Sequence, residues 1–311
     1  MQALRRWFVA DGASVADGRI DWVRVVPFVL LHVGALGAFA VGVAWVDVAV
    51  AVALYAVRMF AITGFYHRYF SHRAFDASRA VQFGFALLAA SAAQRGPLWW
   101  AAVHRRHHAD ADTDADPHSP RRGFLHAHLG WFLTREHFAT DTVRVKDWAR
   151  FPELVWLDRY DSVVPLATAA LLYGFGAALE RFVPTLGTSG LQMLLWGYCL
   201  STVVLLHATL LVNSITHRFG ERRYATRDDS RNLRWLAYLT LGEGWHNNHH
   251  RYAASARQGF FDGETDASYV VLGWLERIGL VRNLRSVPQA VLAEGARGTG
   301  AAARHGDGAP R

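Results

Sequence analysis

The stretch Val25-Val-Pro-Phe-Val-Leu-Leu-His-Val-Gly-Ala-Leu-Gly-Ala-Phe-Ala-Val-Gly-Val-Ala-Trp45 is a run of 21 residues without a charged side chain. A helix rises about 1.5 Å per residue, so this run spans about 31 Å and is long enough to cross a bilayer. Comparable apolar runs follow at residues 48–66, 163–179 and 191–212. The sequence therefore predicts an all-α integral membrane protein with four transmembrane helices.

The short connections between these runs predict two hairpins. Asp47 marks a tight turn between the first two runs, and residues 180–190 form a turn with Pro and Gly. Arg58 interrupts the second run, and we interpret it as a snorkelling or paired structural charge. Residues 80–93 are apolar but too short to cross, which predicts an in-plane or buried helix.

The distribution of basic residues predicts the orientation in the membrane. Thirteen Arg or Lys residues lie between His67 and Ser162, whereas the two outer turns carry only Arg181. The positive-inside rule then places the segments 1–24, 67–162 and 213–292 in the cytoplasm. The net charge of +7 accordingly suggests a membrane surface and not nucleic acid.

The predicted organisation is a cytoplasmic N-terminal segment at 1–24, one membrane domain at 25–292, and a tail at 293–311. No small-residue cleavage site follows a short apolar core near the N-terminus, so we expect no removable signal peptide. The tail is rich in Gly and Ala, and we expect it to be disordered.

Histidine motifs follow the predicted spans. His104-Arg-Arg-His-His108 and His246-Asn-Asn-His-His250 place histidines at i, i+3 and i+4, which share one face of a helix. His67 and His72 are five residues apart, so the helix must end or distort between them if both bind one ion. These eight histidines exceed what one metal takes, and we predict two metal ions.

The ligand chemistry narrows the choice of metal. Cys199 is the only cysteine and lies in an apolar run, so the ligands must be histidine nitrogen and oxygen. Catalytic zinc usually takes three protein ligands, whereas an all-histidine pair of irons would make a dioxygen-activating centre. Asn213 and His217, at i and i+4 where the fourth run ends, are further candidates.

Other polar residues near the motifs are open to two interpretations or are assigned to packing. Asp110, Asp112, Asp114 and Asp116 either fix the orientation of ligating histidines or form a solvated loop. Five histidines are assigned to the surface or to packing: His118, His126, His128, His137 and His305.

Taken together, these motifs resemble the membrane fatty-acyl desaturases, close to the acyl-CoA delta-9 type. The resemblance covers roughly residues 50 to 285. It is carried by His67-Arg-Tyr-Phe-Ser-His72, the two motifs that begin at His104 and His246, Asp116-Pro-His-Ser119, Arg121-Arg-Gly-Phe124, Asn213-Ser-Ile-Thr-His217 and Gly242-Glu-Gly-Trp245.

The resemblance implies four transmembrane helices with a cytoplasmic helical cap that holds a di-iron site. One iron would be bound by five histidines: His67, His72, His104, His108 and His249. The other would be bound by four, with Asn213 reaching it through a water: His107, His217, His246 and His250.

The resemblance also implies the reaction, namely insertion of a cis double bond, at delta-9, into a saturated acyl-CoA with dioxygen and two electrons. Arg121 and Arg122 would meet the CoA phosphates. Ala102 and Val103 stand where animal enzymes carry an Arg-Asp pair that contacts CoA, so the carrier could instead be another thioester or an intact lipid.

The resemblance implies a partner and a location as well. The haem-binding stretch His-Pro-Gly-Gly is absent from the sequence. Electrons would therefore come from a separate protein of the ferredoxin, rubredoxin or cytochrome type. The expected location is the bacterial inner membrane, as a multi-pass protein among membrane lipids with its active site on the cytoplasmic side.

Two alternatives remain. A hydroxylase or ketolase would use the same centre and form an alcohol or a ketone. A non-enzyme alternative is a metal transporter or a histidine-rich metal-binding protein, but transporters bind their ions inside the membrane spans, and we count only His207 within one.

Overall fold

The computed structural model describes residues 2–10 and 12–305, with the side chains of residues 5–10 and 12–297. Its regular structure is almost entirely helical. In chain order the α-helices are α1 (Gln2–Phe8), α2 (Trp22–Gly37), α3 (Trp45–Phe60), α4 (Arg79–Ala90), α5 (Pro97–Asp110), α6 (Trp131–Leu133), α7 (Lys146–Ala149), α8 (Pro152–Arg159), α9 (Val163–Phe182), α10 (Gly190–Gln192), α11 (Ser201–Ile215), α12 (Arg234–Leu239), α13 (His246–Arg251), α14 (Ala267–Arg277) and α15 (Gln289–His305).

Other regular elements are short. One antiparallel ladder joins β1 (Asp76–Ala77) to β2 (Val281–Arg282). Wider π-helical turns and tight 3₁₀ turns continue or connect the α-helices. The π-helical segments are Ala61–Ser71, His126–Gly130 and Met193–Leu200, and the 3₁₀ turns are Ala38–Ala40, Pro120–Arg122 and Pro184–Leu186.

Four continuous helical segments are long and apolar enough to cross a membrane, as the sequence predicts: span 1 (Trp22–Ala40), span 2 (Trp45–Ser71), span 3 (Val163–Phe182) and span 4 (Gly190–Ile215). Buried residues make up 44% and 56% of the most apolar parts of spans 2 and 4, against 17% and 6% in spans 1 and 3. Spans 2 and 4 therefore form the inner pair, and spans 1 and 3 flank them.

Spans 2 and 4 extend further than their apolar runs. Span 2 continues from Tyr66 to Ser71, and span 4 continues from Val212 to Ile215. Most of the added polar residues are buried, with His67 3% exposed and Ser214 fully covered, and Asn213 is half-buried. Burial beneath the segments outside the spans lets these helices continue past the point where the sequence becomes polar.

Asp47 lies in the first turn of a helix and does not mark a turn between the spans, so this expectation was wrong. It lies in the first turn of α3, where its carboxylate accepts a hydrogen bond from the Ala44 backbone N–H at 2.8 Å. Its other oxygen accepts from the Thr188 hydroxyl, which ties the start of span 2 to the connection between spans 3 and 4. A carboxylate is stabilised at this position because the first backbone N–H groups of a helix lack partners inside it.

Arg58 has a structural role inside the bundle. It is fully buried, and its guanidinium donates to the hydroxyls of Thr202 (2.7 Å) and Ser201 on span 4. It also lies over the Tyr198 ring, 5.6 Å from its centroid. The cation therefore neither snorkels nor pairs with an acid, but ties spans 2 and 4 together through neutral groups.

The short apolar run at 80–93 forms α4, which packs against the end of span 2. The rings of Phe65 and Phe85 stack at 3.8 Å between centroids. The largest hydrophobic cluster joins this region to α5, α7 and α8 through Leu98, Trp148 and Leu154. This cluster is the rigid base on which the end of span 2 rests.

The C-terminal segment is helical where the sequence predicts disorder. Helix α15 runs through Gln289–His305, and residues 306–311 lie outside the described residues. Val291 packs with Tyr224 and Phe260, and Glu294 forms an ion pair with Arg251 at 2.6 Å. These contacts fix the first turns of the helix.

Candidate metal centre

Five histidine side chains converge at the end of span 2. Their ligand nitrogens all lie within 4.8 Å of one another. The closest approaches are between Nε2 atoms, at 2.8 Å for His72 and His104, 2.9 Å for His108 and His249, and 3.0 Å for His67 and His249. This five-histidine set is the one that the resemblance implies for the first iron: His67, His72, His104, His108 and His249.

The π-helical end of span 2 explains how His67 and His72 reach the same point. A π-turn closes between residues five apart, so it returns a side chain to the same face where an α-helix would not. Arg105 then caps the helix by donating to the carbonyls of Phe70 (2.7 Å) and Ser71 (2.9 Å). The distortion predicted from the spacing is therefore present and is held by hydrogen bonds.

A second set of four histidines lies directly beside the first. The ligand nitrogens of His107, His217, His246 and His250 are within 4.8 Å of one another. They come from α5, from the residues just past α11, and from α13. Because i and i+3 or i+4 share a helix face, α5 and α13 each contribute histidines to both sets.

Acidic side chains hold the outer nitrogens of four of these rings. Nδ1 lies 3.0 Å from Asp116 in His107, 3.0 Å from Asp112 in His217, and 2.9 Å from Asp228 in His250. Nδ1 of His67 contacts the Glu243 carboxylate. Each carboxylate accepts the Nδ1 hydrogen, which leaves the Nε2 lone pair directed inward, as in histidine metal sites.

This arrangement fits metal ions. His107 and His250 both donate from Nδ1, so their Nε2 atoms face each other at 3.3 Å with two lone pairs and no hydrogen between them. Burial lowers the pKa of His250 to about 4, so its ring is neutral near pH 7. A cation relieves this repulsion, and bonds of about 2.1 Å at right angles place two nitrogens about 3 Å apart.

The loop that follows His104-Arg-Arg-His-His108 contains four aspartates, of which two contact ligand histidines and two do not. Asp112 and Asp116 are buried and orient His217 and His107. Asp114 is exposed, and Asp110 lies 3.7 Å from Arg144 instead of contacting a ligand. Two of the four aspartates, Asp112 and Asp116, therefore orient ligand rings, and the other two do not.

Sequence reasoning missed Asp228 and Glu243. Glu243 lies in the stretch Gly242-Glu-Gly-Trp245 that supports the resemblance, and it also contacts Arg68 at 3.0 Å. Asp228 follows no motif, and its carboxylate meets His250 only in the folded chain. Only Glu243 could have been identified from the sequence, because it is an acid within the stretch Gly242-Glu-Gly-Trp245.

An apolar cavity of about 620 Å³ starts at both histidine sets. His67, His104 and His246 form part of its wall, and Asn213 lines it beside them. The cavity reaches Tyr198 and Cys199 on span 4. A long apolar ligand in this space would pass directly in front of the metal-binding side chains.

Polar residues line another part of this cavity. Asp161 accepts from Arg24 at 2.6 Å and from Arg95 at 2.9 Å. Nearby wall residues Leu30 on span 1 and Leu166 on span 3 are more than half exposed. The cavity thus reaches the outer surface of the helices between spans 1 and 3.

Comparison with known proteins agrees with this geometry. The fatty acid desaturase profile matches residues 20–258. The chain belongs to the fatty acid desaturase family. Its match covers spans 1 to 4 and all nine histidines of the two sets.

Several desaturases of known activity are similar to this chain. The sn-1 stearoyl-lipid 9-desaturase of Anabaena variabilis is 36% identical over 276 residues, covering 88% of this chain and 97% of the relative. The sn-2 palmitoyl-lipid 9-desaturase of Nostoc sp. (strain 36) is 37% identical, covering 69% and 73%. The acyl-CoA 5-desaturase AL21 of Anemone leveillei is 35% identical, covering 70% and 64%.

Arg121 and Arg122, which the resemblance implies would meet the CoA phosphates, are both exposed. Arg121 is exposed and pairs with Asp229 at 3.0 Å. Within the part of the chain that the structure describes, neither Arg121 nor Arg122 is among the residues that line the apolar cavity.

The histidines assigned to packing or the surface lie outside the two sets. His118 is buried, with its ring 4.3 Å from that of His107 and its Nδ1 3.6 Å from Asp116. His126 contacts the Pro117 carbonyl at 3.1 Å, and His137 is buried. The side chain of His305 lies outside the described residues.

The count of histidines within the spans needs a correction. His32 lies in span 1, so His207 is not alone. The two rings contact each other through Nε2 atoms at 3.0 Å, and His128 reaches Nδ1 of His207 at 2.9 Å. We call these three residues the span histidine chain.

Proposed function

We propose that this desaturase inserts a cis double bond at the ninth carbon of a saturated acyl chain of sixteen or eighteen carbons, with dioxygen and two electrons at a pair of irons. The observation that carries the proposal is that histidines of the two sets form part of the wall of the apolar cavity. An acyl chain in this cavity would present its methylenes to the metal centre.

The chain's own residues prepare the site. The five-histidine and four-histidine sets would each hold one iron, with Asn213 reaching the second through a water. Bound iron would supply the redox chemistry of dioxygen activation. Asp112, Asp116 and Asp228 fix the orientation of three ligand rings, and the apolar wall excludes water from the reacting carbons.

The position of the double bond follows from where the polar head is anchored. The cluster of Arg24, Asp161 and Arg95 would hold the ester or thioester end, while the hydrocarbon extends toward Tyr198. Depth from this anchor then decides which methylenes face the irons. The position is expected to be counted from the carboxyl end.

An intact glycerolipid is the carrier that the cavity supports best. A lipid in the membrane could enter between Leu30 and Leu166, the exposed wall residues of spans 1 and 3. The resemblance implies a CoA thioester bound at Arg121 and Arg122, and neither of these residues is among the described residues that line the cavity. The Anabaena and Nostoc relatives are named for lipid-linked chains, whereas the Anemone relative is named for acyl-CoA.

The proposed setting is the bacterial inner membrane, with the metal centre facing the cytoplasm. The basic residues between His67 and Ser162 support this orientation, since the outer connections carry only Arg181. Reporter fusions after Asp47 and after Gly187 should then read external. A cytoplasmic signal at either position contradicts the orientation.

Expression in a desaturase-deficient host tests the reaction. Chains that differ by two carbons are supplied, and mass spectrometry locates the double bond and the lipid class that carries it. A fixed distance from the carboxyl end is expected, and a fixed distance from the methyl end contradicts head anchoring. An alcohol or a ketone as the product would indicate a hydroxylase or ketolase.

An assay of the purified enzyme with separate substrates shows which carrier the acyl chain must have. With a reductant present, a defined saturated phosphatidylcholine or monogalactosyldiacylglycerol and stearoyl-CoA are offered separately. Product from a glycerolipid alone is expected. Product from stearoyl-CoA alone contradicts the lipid carrier and returns the assignment to Arg121 and Arg122.

A further inference from the structure

A second, polar cleft of about 200 Å³ lies apart from the apolar cavity. Among the described residues, none of those lining this cleft also lines the cavity. We call it the arginine cleft, and its wall is formed by Tyr69, Arg73, Phe75, Asp76, Ala77, Arg79, Gln82, Trp148, Arg150 and Phe151.

The guanidinium groups of the arginine cleft face outward, and their acidic partners are more covered. The side chains of Arg73 and Arg79 are 54% and 62% exposed, whereas those of Asp147 and Glu153 are 21% and 19% exposed. Arg150 is exposed over the Phe151 ring, 5.0 Å from its centroid, and has no ion pair among the described residues. The wall also contains one exposed acid, Asp76, whose carboxylate accepts from the Asn283 side chain at 2.7 Å. With three arginines against this one acid, the lining presents net positive charge to an approaching molecule.

One buried donor inside the cleft has no partner. Gln82 is 2% exposed, and its Oε1 accepts from the Tyr69 hydroxyl at 3.0 Å. Its Nε2 has no hydrogen-bond partner among the residues that the structure describes. An unpaired buried amide N–H is costly, so an acceptor that entered the cleft would gain this hydrogen bond. A carboxylate satisfies both this amide and the surrounding arginines.

The arginine cleft lies against the backbone that holds the metal ligands. Arg73 directly follows His72, a member of the five-histidine set. The indole N–H of Trp148 donates to the Phe70 carbonyl at 2.7 Å, and its ring contacts that of Tyr69 at 5.0 Å. A molecule bound here would be close to the first metal site without entering the acyl cavity.

The proposed reaction needs an electron donor that binds outside the apolar cavity. Removal of two hydrogens from the acyl chain supplies two of the four electrons that convert dioxygen to two waters. Two more electrons and two protons must therefore come from outside. Since the acyl chain fills the cavity during the reaction, the donor of these electrons must bind at another face.

We propose that the arginine cleft is the docking surface for an acidic electron-donor protein, one of whose surface carboxylates enters the cleft and meets Arg150 and Gln82. This inference rests on the proposed oxidative function. Exposed charges at the rim of such an encounter mainly set the rate of association and its salt dependence. The buried aromatic rings of Tyr69 and Trp148 give the contact an apolar base.

The test compares two reductants on the purified full-length protein. One is an acidic [2Fe–2S] ferredoxin kept reduced by its reductase, and the other is dithionite, a small reductant that needs no docking surface. In Arg150→Glu, we expect the KM for ferredoxin to rise about tenfold at low ionic strength and to lose most of its salt dependence. Dithionite-driven turnover and iron content should not change.

Arg181 is a matched control. It is also an exposed arginine that lies over the next phenylalanine, 5.9 Å from the Phe182 ring centroid, but it is at the opposite end of span 3 from the cleft side. Arg181→Glu should leave the KM for ferredoxin unchanged. An equal rise in both variants overturns the docking surface, because it would report net charge alone.

Two further outcomes decide the inference. If Arg150→Glu loses iron, the charge-neutral Arg150→Gln replaces it, and an unchanged KM for ferredoxin then contradicts docking. If Arg150→Glu alters binding to phosphatidylglycerol vesicles and leaves the KM for ferredoxin unchanged, the cleft binds lipid headgroups and the proposal is wrong. Failure of the wild-type protein to form a double bond with dithionite contradicts the proposed function and not the docking surface.

Discussion

The metal centre and the span histidine chain have nearly the same nitrogen spacing but different chemistry. Nε2 atoms of His217 and His246 in the centre are 3.0 Å apart, as are those of His32 and His207 in the spans. In the centre, however, His217 donates from Nδ1 to Asp112, so a lone pair points toward its neighbour.

In the span histidine chain each close contact between two ring nitrogens can be a hydrogen bond, with one N–H and one lone pair. The Phe28 carbonyl can only accept, at 2.8 Å from His32 Nδ1, so His32 Nε2 accepts from His207 Nε2. His207 Nδ1 then accepts from His128 Nε2. Because His207 uses both nitrogens in opposite directions, no single ion can be bound by all three rings.

The difference shows that the spacing of ring nitrogens does not identify a metal site by itself, because two facing nitrogens can either both present lone pairs, as in His107 and His250, or share a hydrogen, as in His32 and His207. A carboxylate on Nδ1 directs the Nε2 lone pair inward and prepares the ring for a metal. The Phe28 carbonyl does the same for His32, but the lone pair of His32 then meets an N–H of His207, so the rings form a hydrogen-bonded chain instead. The span histidine chain joins span 1, span 4 and the residues before α6, and we assign it a structural role.

Removing one ligand should have the largest effect. His250→Ala leaves three histidines in the second set, so we expect turnover to fall below detection while the protein still inserts in the membrane. Iron content should fall from two per chain to about one. Activity assays and metal analysis of purified protein check this, and full turnover in the variant contradicts the assigned set.

Loss of an orienting carboxylate should have the next largest effect. Asp116→Asn replaces the acceptor of the His107 Nδ1 hydrogen, and changes of this kind cost about 10- to 100-fold in metal affinity or activity. Iron titration of the purified variant measures the loss. Asp110→Asn is the control in the same loop, and an equal loss in both variants excludes an orienting role for Asp116.

Asn213→Ala tests whether Asn213, which lines the cavity beside the ligand histidines, reaches the second iron through a water. An amide is a poor substitute for imidazole as an iron ligand, so we expect it to hold a water on the second iron. Activity should fall about tenfold, with most of the iron retained. Loss of one full equivalent of iron would show direct coordination.

The span histidine chain should give the smallest effect. His207→Ala removes two contacts between helices, each worth about 0.6 kcal/mol in membrane proteins, so we expect the free energy of unfolding to fall by about 1 kcal/mol. Both irons should remain. Thermal unfolding together with iron analysis measures the two quantities, and loss of an iron contradicts the contrast with the metal centre.

Local patterns in the sequence predicted much of this molecule. Long apolar runs predicted the four spans, and the i, i+3, i+4 spacing predicted the faces of α5 and α13 that meet at the centre. The five-residue gap between His67 and His72 even predicted a distorted helix end. Each of these features depends on residues close together in the chain.

What the sequence could not predict depends on contacts between distant segments. Asp228 meets His250, and Glu243 meets His67, only because separate loops fold over the centre. Asp47 lies in the first turn of α3, where Ala44 and the distant Thr188 complete its hydrogen bonds. Helix α15 is ordered at its start by Arg251 and Tyr224, which no local pattern connects to it.

Iron analysis of active wild-type protein, combined with Mössbauer spectroscopy of ⁵⁷Fe-enriched enzyme, tests the central claim most directly. We predict two irons per chain in nitrogen-rich, histidine environments that change when dioxygen and a saturated acyl substrate are added. One ion per chain, or zinc or another metal in fully active protein, would contradict the account.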